Sequence, residues 1–443
     1  MHFPQLLQDV PKKAAAARGI QRRLLLLACC FLVSSPGPWA QVTRAELLKI
    51  VPPNGQANAF FGARVALDGN LGLVSAPLEE DVGFNSGAAR VYDVTTGQLL
   101  AKLTPSDPAL AVLFGESVAL QGNLALVGSI LSSPGGVQDA GSAHLFDATT
   151  GVELRVLLPN DPGVGDEFGS VALAGNRAVV GANAADGIGG VNMGAAYVFD
   201  VTTGNQLFKL TADDGQANDF FGLRVAASGN LALIGAFGDD DNGIGSGSAY
   251  LFDLTTGQQL FKLLPSDGAA NLGFGLSVAL SGNLALVGQP TIFGDLGAAA
   301  YLFDATTGQE LRKLIPQAGS FPYYFATSVS VDDGGASGVG RALIGSPEDN
   351  FGVFLSPSAG SAHLFDTDSG QEIALLIPSD SHSGMRFANS VALSGSRALF
   401  GARTDDVNGP KSGSAYVFDV TPARRHRTTA ARVRPRGSPK TGQ

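Results

Sequence analysis

The pair Phe-Gly, or Phe-Ala, opens a similar phrase at Phe61, Phe114, Phe168, Phe221, Phe274, Phe325 and Phe387, at intervals of 53, 54, 53, 53, 51 and 62 residues. A period near fifty residues constrains a fold more tightly than composition does. Each copy is one supersecondary unit that cannot bury its apolar face without the next copy. One copy reads "FGLSVALSGNLALVGQ" and then "GAAAYLFDATTGQELRKLIP". "SVAL" and "LALVG" are short continuous apolar runs, as expected of strands buried on both faces. "SGN" between them fits a tight hairpin turn. "AAYLFD" reads as a third strand. "DATTG" reads as a turn whose Asp caps its own backbone and whose Gly takes a positive φ. "ELRKLIP" reads as a fourth strand, stopped by a proline that cannot continue a ladder. Side chains grow from Ala and Val in the first strands to Tyr, Phe and Leu in the outer ones, the taper that a wedge-shaped blade requires. Seven such units predict an all-β fold: a closed seven-bladed β-propeller of four-stranded antiparallel blades over residues 41–420.

The seventh copy stops early. "SAYVFDVTP" places Pro422 where a second Thr stands in the other turns, and no fourth strand follows. A fourth strand without a blade lies at the other end of the chain. Aligning Pro52 of "AELLKIVPPNG" with Pro265 of "QQLFKLLPSDG" puts Lys49 on Lys262, Leu48 on Phe261 and Leu47 on Leu260. Residues 45–51 are therefore expected to complete the last blade, with Leu47, Leu48, Ile50 and Val51 supplying apolar contact. Closure would leave fewer strand edges bare.

The chain ends differ in character from the repeats. Lys12, Lys13, Arg18, Arg22 and Arg23 precede "LLLLACCFLV" and "SSPGPWAQ". A basic region, a short apolar run and a small residue before a polar start predict a secretory signal peptide over residues 1–40. The run is short for a membrane span, so no transmembrane span is expected in the mature chain. Both cysteines, Cys29 and Cys30, fall inside this segment. The mature protein then relies on packing rather than disulfides. Residues 421–443 carry seven bases and no acid, with several prolines, and read as a basic disordered tail. These bases and the five near the N-terminus mean that the chain's net charge of −10 understates the acidity of residues 41–420. An acidic surface excludes nucleic acid as a partner and favours cations or basic partners.

"FGLRVAA…LALIGA" and its six counterparts resemble FG-GAP repeats, found in the propeller of integrin α-subunits and in many bacterial secreted proteins; "GAFGDDDNGIGSGSAYLFD" is nearer the bacterial variant. The resemblance spans residues 43–420. It implies a secreted or cell-surface binding or adhesion module, usually without catalytic activity, acting on an extracellular protein or glycan; the chain is expected to be a monomer. One departure concerns calcium. Integrin-type repeats that bind it carry an Asp-rich loop between the FG and GAP strands. Here that loop is "LDGNL", "LQGNL", "LAGNR", "ASGNL", "LSGNL" or "LSGSR", too short to wrap one ion with several carboxylates. Only the sixth copy is longer, with Asp332 and Asp333. No cofactor is therefore expected in the family's position.

Acids cluster instead after the GAP strand. Asp239, Asp241 and Asn242 in the fourth copy are the candidate calcium ligands; the competing reading is a turn held by Asx hydrogen bonds and glycine. Candidate ligand-face residues are Phe220, Tyr323, Tyr324, Glu348, Asp349, Asp405, Asp406 and Asn408. They lie in loops between second and third strands and in blade linkers, which share one face of a propeller and commonly carry recognition. Phe60 and Phe237 join them as aromatics on that face.

The alternative is a secreted, polysaccharide-active enzyme using the propeller centre. Little in the sequence supplies it. "FDATTGQEL" also resembles the turn of pyrroloquinoline-quinone enzyme propellers, but those follow it with a tryptophan, and the one tryptophan here is Trp39. His144 and His363 stand where other copies have Tyr197, Tyr250, Tyr301 and Tyr416, which marks a strand position rather than a catalytic one. His382 has Asp380 and Ser383 as sequence neighbours, which is not a triad.

Overall fold

A computed structural model describes residues 44–80, 83, 85–107, 112–290, 297–317, 324–335, 338–349 and 357–421. The proposed signal peptide, Tyr323 and the chain beyond Thr421 lie outside them. Among the described residues no helix is long and apolar enough to cross a membrane.

The strands form seven four-stranded antiparallel sheets, and all but one follow chain order. The fourth blade is typical: Arg224–Ser228, Leu231–Ala236, Ser248–Asp253 and Gln259–Leu263. Its third turn forms as the sequence predicts. The Asp253 carboxylate accepts the Thr255 backbone N–H and hydroxyl, each at 2.6 Å, and Gly257 takes φ +73°. Each innermost strand packs against the innermost strands of both neighbours, and Phe387–Ser394 of the seventh blade returns to Val65–Asp68 of the first. The ring is closed.

The exceptional blade contains Phe387–Ser394, Arg397–Ala402, Ser414–Asp419 and, outermost, the N-terminal strand Glu46–Ile50. Leu48, Lys49 and Ile50 pair with Val417, Tyr416 and Ala415. The side chains of this strand divide differently from expectation. Ile50 is buried and Leu48 packs against the core, but Leu47 points outward and is 51 % exposed. The register shifts between Glu46 and Leu48, so Leu47 is the extra residue of a bulge, opposite no partner.

The core is not central. Apolar side chains gather in seven clusters, each between one blade and the next; one holds Val179, Val198 and Leu210 of the third blade with Ala232, Ile234 and Phe252 of the fourth. The repeated Phe sits within these layers. Phe221 meets Tyr250 and Phe252 edge-on at ring separations of 5.5 and 5.8 Å, a favourable aromatic geometry.

A polar staple repeats at the rim. The first residue of an outer strand accepts a backbone N–H from the linker entering its blade: Glu153 from Ser106, Gln206 from Asn160, Gln259 from Asp213, Glu310 from Ser266, Glu372 from Gln317, and Glu46 from Ser379, at 2.7–3.1 Å. The N-terminal strand uses the same staple as the others.

Candidate functional site

Chain direction places the second-to-third-strand loops and the blade linkers on one face. Short parallel bridges tie them together: Gly87 to Phe114, Gly141 to Phe168, Gly194 to Phe221, Gly247 to Phe274, and Gly413 to Phe61. Each loop is pinned to the opening Phe of the next blade, so this face is a braced surface.

The residue before each opening Phe adopts a left-handed backbone: Phe60, Leu113, Glu167, Phe220, Gly273, Tyr324 and Arg386, with φ between 53° and 61°. Only Gly273 is at ease there, since a side chain in this region costs on the order of 1 kcal/mol or more. Nothing in the local sequence signals the conformation, because Phe, Leu, Glu, Tyr and Arg are not residues that favour it. Of the aromatics, Phe220 is half-buried and stacks on Phe237 at 5.2 Å, and Phe60 lies under the Lys411 ammonium at 6.0 Å. Tyr324 is exposed.

The acids of this face divide into two sets. Asp239, Asp349 and Asp405 are buried, at 4 %, 3 % and 2 % exposure. They point back into their own blades. Asp349 accepts the Ser361 hydroxyl at 2.7 Å; Asp405 accepts the hydroxyls of Ser414 at 2.6 Å and Tyr416 at 3.2 Å and lies 2.9 Å from Lys49 Nζ. Both are bonded where they sit, as burial of a charge demands. Asp406 and Asn408 are exposed, and the Asp406 carboxylate accepts the Lys411 N–H at 2.7 Å. Glu348 pairs with Arg386 at 2.8 Å.

The candidate calcium ligands also separate. Asp239 and Asp241 come together, joined by Asp214 from the preceding linker, with carboxylate oxygens within 4.8 Å of one another. The Asn242 backbone N–H donates to Ser246 Oγ at 3.0 Å. A cation already lies among the three acids: Lys262 Nζ is 2.7 Å from Asp214, 2.9 Å from Asp239 and 2.6 Å from Asp241. Burial alone would lower the Lys262 pKa, but its bonds to the three carboxylates outweigh that and raise it. Tyr250 donates to Asp214 and Asp239 at 3.0 and 2.8 Å, and burial with these charges raises its phenol pKa strongly. Asp214 is held low, since those two donors overcome its desolvation.

The same construction recurs. Lys49 with Asp380 and Tyr416, Lys209 with Asp161, and Lys313 with Asp267 and Tyr301 repeat the linker acid and outer-strand lysine. His144 and His363 replace the tyrosine and are buried against Glu153 and Glu372 at 2.6 and 2.9 Å. His382 lies 3.7 Å from the Asp405 carboxylate. In the sixth blade Asp332 is paired with Arg341 at 3.1 Å. Asp214 and Lys262 escaped the sequence reading. The available signal was the lysine twelve residues after Tyr197, Tyr250 and Tyr301.

Fold and face together define a repeat propeller whose Phe-Gly and Gly-Ala pairs are its blade joints. The FG-GAP repeat model matches residues 45–92, 98–146, 152–199, 205–252, 258–303 and 371–418, and the chain belongs to the FG-GAP repeat family. Residues 304–370 fall outside these matches, yet they supply the strands Ser328–Asp332, Arg341–Ser346 and Ser361–Asp366 of a regular sixth blade. No curated protein matches the chain.

Proposed function

We propose that this protein is a secreted, non-catalytic recognition module that holds an extracellular protein or glycan on the face made by the second-to-third-strand loops and blade linkers. The observation that carries the reading is the left-handed ring. Six blades place a bulky or charged side chain where the backbone favours glycine, and the side chains differ from blade to blade. Strain kept at a position whose identity varies suggests a use for the side chain rather than for the backbone. A non-catalytic role is supported by the spending of the buried acids and of His144 and His363 on ties within blades. No resident cofactor is part of the proposal, since Lys262 supplies the positive charge at the acidic cluster. Secretion rests on the first forty residues and is checked by sequencing the N-terminus of exported protein.

The test is a glycan and surface-protein binding screen with the exported chain, followed by Phe220→Ser and Tyr324→Ser in one protein. Binding should fall about tenfold, since aromatic anchors dominate such contacts, with the melting temperature nearly unchanged for the exposed Tyr324. Binding that survives both substitutions refutes the proposed face.

A further inference from the structure

The second and sixth blades lack the outer-strand lysine. His144 stands opposite Val156 and His363 opposite Leu375, where Tyr250 stands opposite Lys262. Both rings are fully buried, and each ends a chain of polar contacts. His144 Nδ1 lies 2.6 Å from Glu153 Oε1, and its Nε2 lies 2.8 Å from Ser142 Oγ, which is 2.7 Å from Ser132 Oγ. His363 Nδ1 lies 2.9 Å from Glu372 Oε1, and its Nε2 lies 3.4 Å from Ser361 Oγ, which is 2.7 Å from Asp349 Oδ2. Ser132 and Asp349 hold the same place in their loops: their carbonyls accept the N–H of Gly141 and of Gly360. The two chains thus differ in their last member, a hydroxyl in the second blade and a carboxylate in the sixth.

That difference decides the proton count. A carboxylate only accepts, and a hydroxyl has one proton to give. Ser361 spends its proton on Asp349, which is 3 % exposed, so its lone pairs are what His363 Nε2 meets. Nε2 must then carry a proton. Nδ1 carries one too, because Glu372 accepts it. The Gln317 N–H holds the other oxygen of Glu372 at 2.8 Å. His363 is therefore an imidazolium between two carboxylates, the charge that a lysine supplies in the fourth blade. Its remaining neighbours are apolar: Phe325 meets the ring edge-on at 5.4 Å, Ile344 stands opposite on the second strand, and Leu375 on the outer one. Among the described residues Glu372 is the one ion-pair partner of His363. In the second blade the hydroxyls of Ser132 and Ser142 can turn together, so a single proton satisfies His144.

We propose that His363 is a buried proton switch that ties the loop carrying Glu348 and Asp349 to the sixth blade. Glu348 pairs with Arg386 at 2.8 Å, and Arg386 is the seventh blade's member of the left-handed ring. While both ring nitrogens are protonated, a positive charge sits between Asp349 and Glu372 and holds both inside. When the ring gives up a proton, Nε2 and Ser361 face each other with lone pairs and the buried positive charge is gone. Asp349 then gains by moving into water, and the loop takes Glu348 away from Arg386. The stability that this tie contributes is complete below about pH 6.5, where an unfolded histidine is also charged, and is lost as pH rises and the folded ring titrates. The switch stands whether or not the face holds a ligand.

Imidazole-nitrogen NMR of the full chain with isotope-labelled histidine reads the state directly, because protonated and bare ring nitrogens resonate far apart. At about pH 8, where a free imidazole is neutral, one histidine should show two protonated nitrogens, and its signals should vanish in His363→Gln. Asp349→Ser copies the second blade and should cost His363 its second proton at that pH. Ser361→Ala removes the acceptor of Nε2 and should do the same, which keeps the test decisive if Asp349→Ser does not fold. Ser132→Asp should conversely give His144 a second proton. As the wild-type ring titrates, the Gly360 N–H, which donates to the Asp349 carbonyl at 3.1 Å, should lose exchange protection about tenfold. A singly protonated His363 at that pH in the wild type, a second proton that survives Asp349→Ser or Ser361→Ala, or unchanged protection at Gly360 overturns the switch.

Discussion

Asp219 sits in the linker entering the fourth blade and is 4 % exposed, with the Gln216 N–H donated to it at 2.7 Å. Burial, with the Asp239 charge adding to it, pushes its carboxyl up to about 6. An unfolded aspartate titrates near 3.9, so between roughly pH 4 and 6 the folded chain holds the proton that the unfolded chain has lost. Stability therefore falls as pH rises through that window, and the cost is complete above it. Asp219→Asn keeps an acceptor for Gln216 and removes the charge. It should gain about 1 kcal/mol at pH 7.5, a figure discounted for partial solvent screening, and almost nothing at pH 4. Urea unfolding at the two values checks this, and a loss at pH 7.5 would show that Asp219 is tied by a partner that needs its charge. A neighbouring residue explains why the family phrase is legible at all. A Cβ on Gly235 would lie 2.1 Å from the Gly275 carbonyl oxygen of the next blade. Blades meet backbone to backbone there, so the sequence must spell glycine, and the joint can be read. The left-handed ring could not be read for the opposite reason: Phe220 or Arg386 tells nothing of a backbone set by its surroundings.

The blade is the next unit, and its outer two strands are joined by charge as much as by the ladder. Tyr250 faces Lys262 across the strands, as Tyr197 faces Lys209, Tyr301 faces Lys313 and Tyr416 faces Lys49, with each ammonium 5.1–5.3 Å from the ring centre. What varies is the acid count. The third blade has Ala185 where the fourth has Asp239, and among the described residues Lys209 forms an ion pair with Asp161 alone. Lys262→Met should leave three carboxylates uncompensated, one of them buried, at a cost of about 3 kcal/mol. Lys209→Met, beside one exposed acid, should cost about 1 kcal/mol or less. Adding Asp239→Asn to Lys262→Met should recover much of the loss. Chemical denaturation of the four proteins decides it; equal costs for the two lysines would show that packing over the tyrosine, not charge, holds the strands. Millimolar calcium should leave the wild-type melting temperature unchanged, because the ammonium occupies the place of a cation. This cluster was half legible. Asp239 and Asp241 announce themselves as neighbours in the chain, whereas Asp214 reaches them from the previous linker, a contact made by the ring and not by local sequence.

The ring itself is held shut by five residues from the far end of the chain. Glu46 accepts Ser379 N–H, Lys49 meets Asp380 at 2.6 Å across 331 residues of sequence, and Ile50 enters the layer between the seventh and first blades. Such a contact forms late, since the loop it closes is nearly the whole chain. Burial of Ile50 and part of Leu48 contributes about 2–4 kcal/mol. Without Lys49, Asp405 would keep its two hydroxyl donors but lose its counter-charge, a further loss of about 2–3 kcal/mol. The sum, on the order of 5 kcal/mol, is comparable to the whole stability of many domains. A chain beginning at Pro53 should also expose the Ser414–Asp419 edge and aggregate. It should melt far below the full chain or be recovered insoluble, while a chain ending at Thr421 should match the full chain. Transplanting residues 46–52 to follow Thr421 through a copied "TGQ" turn gives the seventh blade the connectivity and register of the other six and should restore both solubility and melting temperature. Normal melting of the chain that begins at Pro53 would show that the N-terminal strand merely rests on a ring already closed by its inner strands.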